Sequence, residues 1–315
     1  EYKWFSEVTD GATKKSESVR SEWKEKIAEE VEGVPVPKGF TYKEGTKDTG
    51  LVIQDEKGNE FVWVPATEST YGTDTSIRGV TPTGDDTLPN GITDETADVV
   101  KYGGFYIGRF EGGTANAKES TTKGTSAGPV SKINMYPYRS LTLPEAMDLT
   151  KKVNAGNRTC TLMYEVQWNL VLAHLHNKGN ISDTVLTQNS DSIGNTSSVS
   201  FTLNRGKYYA NYNRGWQAYN VDYYNEDDEY YLVKSKVKQK HAALLTTGAA
   251  DRNKVMNIYD FAGNLTEWTI GVYSSTHWPC VVRGNSYNSC SNAANHGYYA
   301  WYEYDGNIGF RVSIY

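Results

Sequence analysis

The sequence predicts an α+β fold of small antiparallel sheets, two central helices and much ordered loop. Three observations predict it. The 315 residues are 38% apolar and 22% charged, a globular balance that suits one large domain or two small ones. Burial falls to aromatics more than to Leu and Ile, with 24 Tyr and 8 Trp beside 29 Gly, which leans toward sheet and irregular loop. Strand patterns come first along the chain, two helical patterns sit in the middle, and irregular chain with short strands runs to the end.

Residues 1–33 differ from the rest. "SESVRSEWKEKIAEEVEG" spaces Val19, Trp23, Ile27 and Val31 by four, a thin apolar stripe on a charged helix, with Gly33 as C-cap and Pro35 as stop. This segment is expected to be a helical stem or linker, and residues 34–315 the domain proper. An opening Glu1 in place of Met reads as a trimmed or processed fragment. "GLVIQDEKGNEFVWVP" reads as a hairpin turning at "DEKGN". Residues 67–100, rich in Thr, Gly, Asp and Pro, read as a long surface loop, and "GGFYIGRFEGG" as a further strand.

Two helices follow. "TLPEAMDLTKKVNAG" has Thr142 and Glu145 at capping-box spacing, Pro144 in its first turn and Asn154/Gly156 at its end. "LMYEVQWNLVLAHLHNKG" puts Val166, Leu170, Ala173 and Asn177 on one face. An insertion is expected near 180–240; its first part is Ser/Asn-rich and irregular, and residues 205–231 hold eight tyrosines. If the first and last strands pair, the domain closes at its base and leaves its loops free at the other end.

Several function classes are disfavoured. A net charge of −6 without a Lys/Arg cluster argues against a nucleic-acid face. No apolar run approaches the ~20 residues that span a bilayer. Cys160, Cys280 and Cys290 make no disulfide framework, although a single Cys280–Cys290 bridge stays open. His174 and His176 point to different faces of one helix, so they read as structural or surface groups.

Seven segments occur together in order: "NEFVWVP" (59–65), "GGFYIGRFE" (103–111), "LTLPEAMDLTKKV" (141–153), "LMYEVQW" (162–168), "NIYDFAGNLTEWT" (257–269), "VVRGNSY" (281–287) and "GFRV" (309–312). Together they resemble the formylglycine-generating-enzyme (sulfatase-modifying factor) branch of the C-type lectin fold. The resemblance implies that fold over roughly residues 40–315. It also implies a structural calcium on the "YDFAGNLTEW" loop, with Asp260, Gly263, Leu265 and Glu267 as ligands; hard oxygen donors on a tight turn suit Ca²⁺. The alternative for the same residues is that Asp260 and Glu267 hydrogen-bond turn amides. Thr266 departs from the Trp usual there.

The enzymes of this branch oxidise a substrate cysteine with copper held by two cysteines, a soft-ligand site. Here "RGNSYNSCSNAANH" offers Cys290 alone, with Ala294 or Asn295 where its partner is needed, so no copper and no enzyme activity are expected. Five scattered histidines do not supply the iron triad of related synthases, and no G-x-S-x-G elbow occurs.

Residues 285–304, "NSYNSCSNAANHGYYAWYEY", have paratope composition instead: Tyr and Trp for contact area at low rotamer cost, Ser, Asn and Gly for adaptable hydrogen bonding. Together with their place before "GFRV", they resemble the variable proteins of diversity-generating retroelements, which display a hypervariable segment there. Mutation of the adenines in AAY template codons yields Asn, Ser, Tyr, His, Gly, Cys, Ala and Asp, but never Trp or Glu, so Trp301 and Glu303 would be fixed or come from other codons. The expected ligand-binding residues are Asn285, Tyr287, Asn288, Ser289, Cys290, Asn292, Asn295, His296, Tyr298, Tyr299, Trp301, Tyr302 and Tyr304. The tyrosine-rich insertion either extends this surface or forms a separate polar lid.

The expected function is thus non-catalytic ligand binding or adhesion, displayed on a cell surface or virion, with a protein or glycan of another cell or host surface as partner. The calcium-bridged sugar signatures Glu-Pro-Asn and Gln-Pro-Asp are absent. The alternative is a divergent oxidase of the formylglycine-generating type.

Overall fold

The computed structural model describes residues 27–66, 103–121, 128–153, 160–197, 199–211, 215–221, 223–225, 230–233, 236–238, 243–272 and 280–315. The surface loop expected at 67–100 and most of the expected stem lie outside the described residues.

Twelve strands position the site: β1 (Ile27–Val31), β2 (Val34–Pro37), β3 (Phe40–Glu44), β4 (Val52–Asp55), β5 (Glu60–Pro65), β6 (Gly104–Gly108), β7 (Cys160–Leu162), β8 (Thr266–Val272), β9 (Cys280–Arg283), β10 (His296–Tyr299), β11 (Ile308–Phe310) and β12 (Val312–Ile314). Three helices join them: α1 (Leu143–Thr150), α2 (Glu165–Asn177) and the short α3 (Asp183–Thr187). The result is an α+β domain of mostly small sheets with few helices.

The helical reading of 1–33 is corrected at its end, because Ile27–Val31 is a strand paired antiparallel with Val34–Pro37. Glu32 and Gly33 both adopt positive φ (53° and 79°), as type I′ hairpin turns require. Val34 and Val36 are buried, so the hairpin gains a core contact that a solitary helix with a thin stripe lacks.

The larger sheet has the order β3-β4-β5-β6-β12-β7. Its β4–β5 hairpin forms where expected, with Val52 opposite Val62 and Ile53 opposite Phe61. The Asp55 carboxylate closes the turn by accepting from the backbone amides of Lys57 and Asn59 at 2.9 and 2.7 Å. The last strand does not pair with the first. It inserts between β6 and β7, with Ile314 opposite both Tyr106 and Cys160. All three β12 residues are buried, which an interior position demands and an edge beside β3 would not satisfy.

The second sheet has the order β10-β9-β8-β11, with β11 parallel to β8. α1 starts at the expected capping box: Glu145 N donates to Thr142 Oγ1 at 3.4 Å and Thr142 N donates to Glu145 Oε2 at 2.8 Å. It ends at Thr150, before the expected Asn154 and Gly156, which lie outside the described residues. α2 is buried well beyond its expected face, since Trp168, Val171, Leu172 and Leu175 are buried as well as Val166 and Leu170. It packs against β5, β8, β9 and α3, so neighbours cover several sides.

The region after α3 is more ordered than its composition suggests. Lys207–Asn211 pairs with Gly215–Ala218, and Phe201–Thr202, Lys236–Lys238, Tyr230–Val233 and Tyr223–Asn225 form a four-stranded sheet in that order. Phe201, Leu203, Tyr208, Ala210, Ala243, Leu245, Ala249 and Ala250 form a small core of their own, while Leu186 and Ile193 belong to the main core. Among the described residues no helix is long and apolar enough to cross a membrane.

Candidate functional site

The site is built on a buried polar brace. Arg311 stands between β11 and β12 and is fully buried. Its Nη2 and Nε donate to the Glu267 carboxylate at 2.8 and 3.2 Å, Nη1 to Gly108 O at 2.9 Å, and Nη2 also to Tyr259 O at 3.0 Å. One side chain thus ties β8, β6 and the 259–260 turn to the end of the chain, with charge-assisted bonds. Beside it, Glu111 accepts from Leu265 N at 3.0 Å and from Asn264 Nδ2 at 2.5 Å. Burial, then the Asp260 and Glu267 carboxylates, push Glu111 well above the ordinary carboxylate range.

Gly263 and Asn264 form the expected turn, both with positive φ. A Cβ on Gly263 would meet Asn195 O at 2.0 Å, so only glycine fits. Of the four residues expected to hold calcium, both carboxylates are engaged by protein groups. Asp260 accepts from Gly248 N and Asn253 Nδ2, both at 3.0 Å. Glu267 faces the Arg311 guanidinium, so a cation already occupies its carboxylate. The Gly263 and Leu265 amides hold the turn, donating to Asn285 Oδ1 and to Glu111.

Residues 284–300 lie over this brace, and groups outside the segment hold much of their backbone. Tyr287 N donates to Asn264 O at 2.9 Å, Ala294 N to Leu186 O at 2.9 Å, and Ser197 N to Ser289 O at 3.0 Å. Ala293 N donates to Ser190 Oγ at 2.8 Å, and Trp168 Nε1 to Ala293 O at 2.9 Å. Ala293, Ala294 and Ala300 are buried, so this segment does contribute to the core, through its smallest side chains. His296–Tyr299 is an edge strand on β9, with Val281 opposite Tyr298 and Val282 opposite Gly297. Its partner Arg283 is buried, and Nη1 donates to Glu165 Oε1 at 3.1 Å and to Asn169 Oδ1 at 3.0 Å; burial pulls its pKa down to about 10.

The thirteen expected binding residues divide by exposure. Asn288, Cys290, Asn295, Trp301, Tyr302 and Tyr304 are exposed. Tyr287, Ser289, Asn292, His296, Tyr298 and Tyr299 are half-buried. Asn285 is a correction: it is 2% exposed, accepts from Gly263 N at 2.9 Å and donates to Ser291 O at 3.3 Å. Both ends of its amide hold the loop, and burial keeps the side chain from a ligand.

Five large apolar side chains stand exposed among the described residues, and three of them are Trp301 (40%), Tyr302 (61%) and Tyr304 (59%). Beside them Tyr298, Tyr299, Tyr302, Glu303, Tyr304 and Asp305 line a shallow cleft of about 620 Å³. The turn that presents them is fixed at both ends: Ala300 N donates to Glu303 Oε2 at 2.9 Å, Ser140 N to Asp305 O at 3.1 Å, and Thr266 N to Asn307 O at 3.0 Å.

The insertion reaches this neighbourhood through Tyr209. The Arg139 guanidinium lies 5.1 Å from the Tyr209 ring centre and donates to Gly306 O at 3.5 Å. After burial, which raises the Tyr287 phenol, the charges of Arg139, Asp305 and Tyr209 act on it as well. Sequence reasoning missed Arg139, whose "YPYRS" context carries no signal for such a contact.

The three cysteines are unbridged. Cys280 is buried and Cys160 partly so, and burial pushes both thiols up to about 12. Cys290 is exposed, with Sγ 2.7 Å from Ser197 Oγ. His174 is buried, which pulls its pKa down to about 4, whereas His176 lies 3.0 Å from Asp183.

No family model and no curated protein matches the chain. Solved structures similar to it include CarF (13% identity, TM-score 0.43, 80% of this chain and 97% of that one). PvdO from Pseudomonas aeruginosa is similar at 13% identity and a TM-score of 0.37, over 84% of this chain and 97% of that one. Variable protein 1 of Treponema denticola is similar at 11% identity and a TM-score of 0.35, over 87% of this chain and 98% of that one.

Proposed function

We propose that this chain is a non-catalytic ligand-binding protein of the diversity-generating-retroelement kind, on the formylglycine-generating-enzyme type of C-type lectin fold. Residues 286–304 are its variable surface. One observation carries the reading: among the described residues, three of the five exposed large apolar side chains sit together at 301–304, on a turn anchored by backbone bonds to the framework. Exposed aromatic clusters on an otherwise polar surface mark interaction sites.

The backbone anchoring supports diversification as well. Tyr287, Ser289 and Ala294 are held through main-chain groups, which any substituted residue keeps. Side chains at Asn288, Cys290 and Asn295 can therefore change while the loop keeps its path, as binding residues on a rigid scaffold must. In this reading Cys290 is one outcome of diversification rather than a redox group. The partner is a protein or glycan on another cell or host surface, and display on a cell surface or virion follows from that role.

Sequencing the same locus in sibling strains tests the proposal. Residues 286–304 should differ far more often than residues 103–111, with Asn285, Ala293, Ala294 and Ala300 held. A near-copy of the 3′ coding segment should lie beside a reverse-transcriptase gene. Equal variation in the two stretches would remove the diversification reading.

A further inference from the structure

The cleft beside Trp301 combines aromatic walls with two carboxylates. Its lining is Tyr298, Tyr299, Tyr302, Glu303, Tyr304 and Asp305, with no lysine, arginine or histidine among them. Glu303 Oε2 accepts from Ala300 N at 2.9 Å and Asp305 Oδ1 accepts from Asn307 N at 2.7 Å, which fixes both carboxylates and leaves each a second oxygen. Both act on the same tyrosine: after burial, the Asp305 and Glu303 charges raise the Tyr299 phenol above its ordinary value. The arginines nearby are committed elsewhere. Arg139 lies over the Tyr209 ring, and Arg283 is buried on Glu165.

We propose that this cleft takes a cationic side chain, an arginine or lysine presented by a partner protein, between its tyrosine faces and the Glu303 and Asp305 carboxylates. The proposal rests on the binding-surface reading above and adds the chemistry of the ligand. Aromatic faces carry negative quadrupole density and attract cations, and a carboxylate matches a guanidinium fork. Charge complementarity selects the occupant, and the chain's net charge of −6 favours a basic partner at longer range. The shape selects a protein over a free small molecule. Small-molecule sites enclose their ligands, whereas this cleft is shallow and its aromatic rim, Tyr302 at 61% and Tyr304 at 59%, stands in solvent. Glu303 lies outside the residue types that AAY codons yield, and Asp305 lies beyond the variable stretch. With Glu303 fixed, the two carboxylates are the constant part of the cation site, and its tyrosines belong to the changing surface.

The test uses the full chain and two heptapeptides, Gly-Ser-Arg-Gly-Arg-Ser-Gly and its twin with citrulline for arginine, by calorimetry at low ionic strength. Citrulline keeps the shape and loses the charge. The arginine peptide is expected to bind on the order of tenfold tighter. The double variant Glu303→Gln, Asp305→Asn should bring the two peptides within about twofold of each other, because the new amides still accept the Ala300 and Asn307 bonds but carry no charge. An unchanged thermal midpoint verifies that this variant is folded. Equal binding of the two peptides, binding of neither, or an arginine preference that survives in the double variant would overturn the proposal. Equal binding that disappears in Tyr302→Ala would overturn the cation preference alone and leave the binding surface standing. The surface reading itself fails separately, on the sibling-strain comparison.

Discussion

Arg311 and Tyr302 lie close in the chain and meet opposite fates. Arg311 is fully buried and its guanidinium is bonded to Glu267, Gly108 and Tyr259. Tyr302 is 61% exposed, and the turn around it is held through backbone amides and carbonyls. The difference shows how one short stretch can serve both constancy and change. Arg311 commits its side chain to bonds, whereas Tyr302 leaves most of its own in solvent.

The comparison can be broken first at the brace. Arg311→Met leaves the Glu267 carboxylate buried without its cation, and breaking such a pair costs about 3–5 kcal/mol. Urea unfolding should show that loss; a shift under about 1 kcal/mol would mean that the brace is replaceable. Asn285 probes the boundary between the two regions. Asn285→Ala strands the Gly263 amide and should destabilise by about 1–3 kcal/mol, read from the same curves. A neutral result would return Asn285 to the display surface. The smallest effect belongs to Tyr302→Ala, which should move stability by no more than about 0.5 kcal/mol. A larger loss would make Tyr302 a framework residue and shrink the surface.

Much of the frame was legible in the sequence. The Thr142–Glu145 capping box, the "DEKGN" hairpin and the Gly263–Asn264 turn have local chemistry that survives in any context. The strand at Ile27–Val31 was not legible, because a four-residue apolar spacing imitates a helix while the pairing partner lies in the next few residues. The edge strand His296–Tyr299 was hidden for another reason: its apolar support comes largely from Val281 and Val282 across the ladder, and Tyr299 is its own residue packed on the core. Glu267 reads in the sequence as a carboxylate that holds the turn or a cation, and in the structure it faces the Arg311 guanidinium. A metal and an arginine make the same demand on a carboxylate, and only the register of β8 against β11 brings Arg311 within reach. Asn285 and Asn288 look alike as letters, and burial alone assigns one to the frame and the other to the surface.

The insertion was left open between an extension of the surface and a polar lid. The reach of Tyr209 toward Arg139 and Tyr287 favours the extension.

The interior position of Val312–Ile314 between β6 and β7 has a consequence for how the protein is made. The ribosome completes this interior strand of the larger sheet only after it has translated the whole variable stretch. A premature stop anywhere in that stretch would release a chain whose sheet lacks the strand that joins β7 to β6, a substrate for proteolysis rather than a shortened binder. Codons that descend from AAY end in a pyrimidine, and every stop codon ends in a purine. Under the proposed diversification, then, the mutable codons can change what the protein displays but cannot withhold the strand that closes it.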